Sequence, residues 1–252
     1  MENLKNKKIL LIICGGIAAY KSLELIRLLK KNGSHVKTIL TNNAKKFVTP
    51  LSVVSLSQEK VYSKLFDFKD ESEMDHISLS RWSDAILIAP ATANTISKLS
   101  NGIADDLAST VVLASNKKIF LAPAMNVRMW EHDSNKKNIS KLIDFGYRII
   151  GPEVGEMACG EYGHGKMSEP LETIKYLNEH FTNLMNNSKL TALVTAGPTH
   201  EYIDPIRYIT NRSSGKQGYE IAKCLPEFGI QTTLITGPTN FSAAEGIKTI
   251  EV

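Results

Sequence analysis

The residues that could do chemistry in this 252-residue sequence lie in a few polar islands between apolar runs. The most unusual island is EMACGEYGHGKM (156–167), where Cys159 stands among glycines. It admits four readings: a phosphate loop, a metal site, a reactive thiol or a plain connection. GEYGHGKM (160–167) satisfies Gly-x-x-x-x-Gly-Lys, but Met167 stands where a nucleotide loop needs Ser or Thr for magnesium. No strand is expected ahead of it, and Pro170 follows before any helix, so the P-loop reading fails. Cys14 and Cys224 are distant in sequence, no Cys-x-x-Cys pair is present and the six histidines are dispersed, so no metal site is expected. Two readings remain: a mobile glycine-rich flap that carries a thiol over a substrate, and an inert loop.

Four other stretches carry candidates. CGGIAAYK (14–21) passes from an apolar run into a helical pattern; glycines there admit close approach of a ligand, and a helix N-terminus offers N–H groups to a phosphate. It lacks the Gly-x-Gly-x-x-Gly fingerprint and reads equally as a tight turn. APATANTISKLSNGIADDLAST (89–110) places Thr92, Asn94 and Thr95 after another apolar run, either at a ligand or as helix caps, and spacing favours caps. Asn126 in APAMNVRMW (122–130) is a turn residue or a polar contact, and His76 in MDHISLSRW is a satisfied histidine or a base.

These islands need elements to hold them. Apolar runs of strand length alternate with helical-period segments, which predicts an α/β fold with a buried parallel sheet and helices on both faces. Strands are expected at 8–14, 35–40, 84–90, 117–125 and 147–150, and helices at 18–33, from Asn42, across 92–114 and near 134–145. The five glycines of 151–169 predict a long irregular loop, followed by a helix from Pro170 to about Asn187. After NNSK the pattern restarts, with strands at 190–197 and 230–236 and a helix at 218–229. TAGPT (195–199) and TGPT (236–239) echo one another at the two strand ends. Residues 1–188 are read as one domain and 189–252 as the start of a second, incomplete α/β domain.

Composition narrows the class. With 42% hydrophobic and 22% charged residues the chain reads as an ordinary globular protein. The thirty basic and twenty-six acidic residues are scattered, with no basic stripe interleaved with aromatics, so no nucleic-acid partner is expected. The amino-terminal MENLKNKKILLIICGG imitates a secretion signal, but its apolar run is short and ends in Gly-Gly, so it reads as a buried first strand. No stretch approaches the roughly 20 apolar residues needed to span a bilayer. An odd number of widely spaced cysteines argues against a disulfide framework and fits a cytoplasmic location.

Taken together and in order, GGIAAYK, His76 with RW, APATAN with NGIADDL, PAMN and ACGE with GKM closely resemble the phosphopantothenoylcysteine decarboxylases. These belong to the homo-oligomeric flavin-containing cysteine decarboxylases, with a flavodoxin/Rossmann-like fold. VTAGPTHEYIDPIRYITNRSSGKQG (194–218) resembles the opening of the phosphopantothenate–cysteine ligases that follow the decarboxylase in bacterial coenzyme A biosynthesis. The resemblance implies an FMN site built from Gly15, Gly16, Ile17, Ala18, Thr41, Thr92 and Asn94. It implies catalytic roles for His76 as base or orienting group, Asn126 as carboxylate binder and Cys159 as proton donor. Met125, Asn126, Lys166 and Asn211 would contact substrate, with Lys166 replacing the more usual arginine, a mild change unless it stacks or binds bidentately. The expected substrate is 4′-phosphopantothenoylcysteine, and the assembly a homotrimer or a larger homo-oligomer. A complete ligase half would use 4′-phosphopantothenate, cysteine, CTP and Mg2+, and no ligase activity is expected of these 252 residues alone. A flavin prenyltransferase-like enzyme and a non-catalytic flavin-binding regulatory subunit are the alternatives; the attached ligase-like segment disfavours a decarboxylase of peptide C-terminal cysteines.

Overall fold

The computed structural model describes residues 2–65, 75–186, 190–239, 241 and 247–252. The chain divides into two compact units, residues 1–179 and 180–252.

The first unit is built on β1 (Lys8–Ile13), α1 (Ala19–Lys31), β2 (His35–Leu40), α2 (Pro50–Ser57), β3 (Val61–Tyr62) and α3 (Asp75–Trp82). It continues through β4 (Ala85–Ala91), α4 (Ala93–Ser100), α5 (Leu107–Leu113), β5 (Lys118–Pro123), α6 (Val127–Glu131), α7 (Asp133–Asp144) and β6 (Arg148–Ile149). Then come β7 (Glu153–Glu156), β8 (Tyr162–Lys166) and α8 (Pro170–Asn186), the last of which runs across the boundary between the units. Every residue of β4 is buried, and so are the last five of β1, because helices cover both faces of the sheet. Helix α1 places Leu25, Ile26 and Leu29 in this core, carries Lys30 and Lys31 in its last turn, and ends before Gly33, whose φ of +78° a side chain would resist. Thr49 caps α2 by accepting from the Ser52 amide, and Pro50 fits the first helical position.

The six strands lie in the order β3-β2-β1-β4-β5-β6, all pairs parallel. The chain winds outward from β1 to β3 and then returns to place β4 on the other side of β1. The connections after β1 and β4 therefore leave the sheet in opposite directions, opening a crevice at their carboxyl ends, where open α/β sheets bind ligands. Within a generic α/β expectation, tertiary pairing selects the dinucleotide-fold strand order.

Several expected boundaries change. Residues 151–169 are not an irregular loop: β7 and β8 form an antiparallel hairpin pairing Val154 with His164 and Glu156 with Tyr162. Alternating polar residues and glycines hid this two-stranded element from a reading based on apolar runs, and the expectation that no strand precedes GEYGHGKM was wrong for the same reason. The helix expected from Asn42 is a single 3₁₀ turn at 44–46 followed by α2, since Pro50 starts a new helix. The two-residue β3 and the five-residue α6 were too short to register as patterns.

In the second unit β9 (Thr191–Ala196), β12 (Gln231–Thr236) and β13 (Lys248–Glu251) form a parallel sheet in the order β13-β12-β9. Between them lie the antiparallel hairpin of β10 (His200–Tyr202) and β11 (Tyr208–Thr210), unforeseen inside a presumed loop, and α9 (Lys216–Cys224). Tyr219, Ala222 and Leu234 form its small core. Among the described residues no helix is long and apolar enough to cross a membrane.

Candidate active site

A cavity of about 830 Å³ opens at the crevice between β1 and β4 in the first unit. That volume suits a drug-sized or cofactor-sized ligand. The turn after β1 contributes Gly15, Gly16, Ile17 and Ala18; the turn after β2, Thr41; the start of α4, Thr92 and Asn94. The turn after β5 adds Met125 and Asn126, and the hairpin adds Cys159 and Lys166. Segments more than a hundred residues apart in sequence share one space.

The glycines have separate duties. A Cβ on Gly15 would overlap Asn43, so this glycine lets the turns after β1 and β2 pack against each other. A Cβ on Gly16 would meet nothing nearer than Thr92 Cγ2 at 4.0 Å and would project into free space beside the lining. Helix α1 begins there with no side-chain cap; its Ala19 and Lys21 amides already donate to the Gly16 and Ala18 carbonyls, so what it offers an anion is the positive end of its dipole. Among the lining residues, Asp105 and Asp106 are ion-paired with Lys98 at 2.7 and 2.8 Å. An open glycine, an uncapped helix start and the hydroxyls of Thr41 and Thr92 fit a phosphate-bearing flat cofactor such as FMN.

Capping and lining coexist. The Thr92 side chain accepts from the Thr95 amide at the start of α4, and Asn126 Oδ1 accepts from the Met129 amide at 2.9 Å. Both residues are helix caps, and both line the cavity. A cap fixes the rotamer, and Asn126 retains its amide NH2 as a donor that the cap does not use.

Cys14 lies wholly buried at the wall, accepting from Thr95 Oγ1 at 3.2 Å; burial pushes its thiol up to about 11, with the Thr95 bond a smaller opposing effect. Cys159, in contrast, is exposed at the hairpin tip, where the Met157 amide donates to the Glu161 carbonyl and the Gly160 amide to the Met157 carbonyl. Burial would raise the Asp106 carboxyl, but Lys98 and Ser109 outweigh it and hold it below the usual aspartate range.

Sequence reasoning passed over Lys21. Only 6% exposed, it donates from the first turns of α1 to the Met167 carbonyl at 2.8 Å and to Glu169 Oε1 at 2.9 Å. Glu169 is held below the usual glutamate range chiefly by that Lys21 bond. A lysine inside an otherwise apolar helix start was the available signal. Lys98, Asp105, Asp106 and Asn43 were likewise missed, since their contribution depends on the tertiary crevice.

Two expected site residues lie elsewhere. His76 sits half-buried on α3 and does not line the cavity of its own chain. Asn211 is exposed in the second unit and is not among the residues lining its cleft of about 550 Å³, which include Gly197, Ser213, Ser214, Lys216 and Gly237. Gly218 lets α9 close on β9, where a Cβ would stand 2.6 Å from that of Ala196.

The Flavoprotein family model matches residues 1–182, and the model described as the DNA/pantothenate metabolism flavoprotein C-terminal domain matches residues 187–252. The chain is 46% identical over 249 residues to the coenzyme A biosynthesis bifunctional protein CoaBC of Haemophilus influenzae, covering 99% of this chain and 62% of that protein. It is 42% identical over 247 residues to the Bacillus subtilis protein of the same name, covering 97% of this chain and 61% of the relative. The chain thus spans about three-fifths of the length of these curated relatives. Among solved structures, a PPC decarboxylase variant complexed with pantothenoylaminoethenethiol superposes with TM-score 0.61 at 28% identity, covering 70% of this chain and all of the other. The FMN binding protein AtHal3 superposes with TM-score 0.62 at 30% identity, covering 71% of this chain and 98% of the other. With its first 182 residues matching throughout, this chain belongs to the Flavoprotein family.

Proposed function

We propose that the first unit is an FMN-dependent decarboxylase converting 4′-phosphopantothenoylcysteine to 4′-phosphopantetheine. The second unit would correspond to the opening part of a CTP-dependent, Mg2+-requiring phosphopantothenate–cysteine ligase. The observation that carries the first reading is the single cavity holding the glycine turn, Asn126, Cys159 and Lys166 together. The names of the curated relatives and of the PPC decarboxylase neighbour support the substrate and pathway.

Losing CO₂ directly from an acylated cysteine would strand a carbanion. Bound flavin supplies reversible two-electron oxidation of the substrate thiol, so that a C=S group beta to the carboxylate accepts the electrons as CO₂ leaves. Asn126, its rotamer fixed by the α6 cap, offers an amide donor to the carboxylate. It does so without the fixed positive charge that would favour the ground state and oppose CO₂ loss. Cys159, unlike the buried Cys14, is exposed at the hairpin tip and is the thiol that can supply the proton as the two electrons taken from the substrate thiol are returned to the unsaturated product. Lys166, paired with Glu169 at 3.6 Å, places a cation at the cavity edge for an anionic substrate group.

We infer that several copies assemble, as a trimer or a larger shell. Ile17 and Tyr20 stand 61% and 60% exposed beside the cavity, an apolar rim that a neighbouring copy would cover. His76, outside the cavity of its own chain, would then manage the substrate thiol proton in the cavity of an adjacent one. A cytoplasmic location is supported by three free cysteines.

The test is purification and assay. The protein should be yellow with FMN and should release one CO₂ per 4′-phosphopantetheine formed. Colourless protein that takes up no FMN, or flavin-loaded protein that leaves this substrate untouched, would reject the proposal.

A further inference from the structure

The proposed reaction gives Asn126 and Cys159 successive tasks on one substrate, yet they sit on different elements: a strand-end turn and a hairpin tip. Something must hold the two in register, because misplacement of a reacting group by about 1 Å can cost on the order of 100-fold in rate.

The contact that does so is backbone to backbone. The Met125 amide donates to the Gly165 carbonyl at 3.1 Å, tying the residue just before Asn126 to β8. Gly165 has φ of +145°, and a Cβ there would overlap the Met125 carbonyl oxygen and lie 3.2 Å from the Met157 sulfur and methyl. On the same strand Gly163, at φ +153°, faces Val127, whose Cγ2 would be 3.0 Å from an added Cβ. Two glycines two residues apart thus present a side-chain-free edge to the Met125–Val127 segment. Lys21 and Glu169 fix the far end of the same strand, through the Met167 carbonyl and through the Glu169 amide, which donates to Glu153 Oε1 at 3.1 Å. These glycines act as docking surfaces, in contrast to the hinge role their number suggests in the sequence.

We propose that Gly165 is a positioning residue: its bare α-carbon and its carbonyl key the Cys159 hairpin onto the Asn126 turn, so that carboxylate seating and proton delivery share one frame. This rests on the decarboxylase reading. No other pair of contacts among the described residues ties Met125 to β8 by a main-chain hydrogen bond.

Gly165→Ala tests it in the assembled, flavin-loaded protein. The expected result is unchanged flavin absorbance with CO₂ release down on the order of 100-fold and a raised share of unsaturated ene-thiol among the products. Hydrogen exchange at the Met125 amide should also quicken at least about tenfold, with or without flavin, because its acceptor has moved. Val127→Ala, which deletes the side chain facing Gly163, should raise the ene-thiol share severalfold and leave the flavin spectrum alone. A folded Gly165→Ala protein with the parent's CO₂ rate, product ratio and Met125 exchange would overturn the assignment. If that variant does not fold, an unchanged product ratio in Val127→Ala overturns it instead. A parent protein that releases no CO₂ rejects the decarboxylase reading, while Met125 exchange still reports whether the docking contact exists.

Discussion

At the scale of single residues, the two cavity cysteines have opposite environments and should behave accordingly. Burial holds the Cys14 thiol protonated, up to about 11, whereas Cys159 is exposed. Iodoacetamide at pH 8 should therefore alkylate Cys159 and Cys224 and leave Cys14 unmodified until the protein is unfolded. Peptide mapping that finds Cys14 labelled as fast as Cys159 contradicts the packing described. Cys159→Ser should still release CO₂ while formation of saturated 4′-phosphopantetheine falls by on the order of 100-fold or more, the usual worth of a positioned acid. His76→Asn should lose CO₂ release by a similar factor while keeping its flavin. Full conversion by the first variant or near-normal turnover by the second would remove that residue from the mechanism. Asn126 and Thr92 carry a further lesson: spacing alone could not separate a helix cap from a cavity-lining residue, because each is both.

Elements position these residues through their ends. Helix α5 starts at Asp106, whose carboxylate accepts from the Ser109 amide at 2.8 Å in a reciprocal capping box, and Lys98 reaches it from α4. The folded protein thereby lowers the Asp106 pKa, so this carboxylate stabilises the fold above the ordinary aspartate value of 3.8, and the contribution disappears as pH falls through the still lower folded value. Asp106→Asn keeps a competent cap but loses the charge. Its melting temperature should lie below that of the parent at pH 7, and the gap should close under acid conditions below pH 3.8. A gap independent of pH would mean that the charge contributes nothing. The hairpin shows what was hard to foresee at this scale. Tyr162–Lys166 has no apolar alternation, and its pairing with Glu153–Glu156 is visible only once β8 is seen docked on the turn before α6.

For the molecule as a whole, the two compact units make domain separability a direct question. A fragment of residues 1–186, ending with α8, should remain folded, yellow and active in CO₂ release, since every cavity-lining residue lies within 14–167. Loss of colour on truncation would mean that the flavin site depends on the second unit. Sedimentation equilibrium should report three copies or a multiple of three; a monomer holding flavin and turning over would remove both the shared-site role of His76 and the covering proposed for Ile17 and Tyr20.

The α/β class and the buried strands were legible in the sequence, because a strand buried on both faces must be apolar throughout, and the polar candidates stand out where such runs stop; the roles proposed for them came from the resemblance and not from spacing. Strand order was not, since β1, β4 and β5 present similar apolar faces and only packing decides which neighbours pair. Nor could spacing reveal that Lys21 is buried against the end of β8, that His76 stands apart from the cavity of its own chain, or that Gly163 and Gly165 serve close docking. Those facts depend on contacts between distant segments, and the tertiary fold alone decides them.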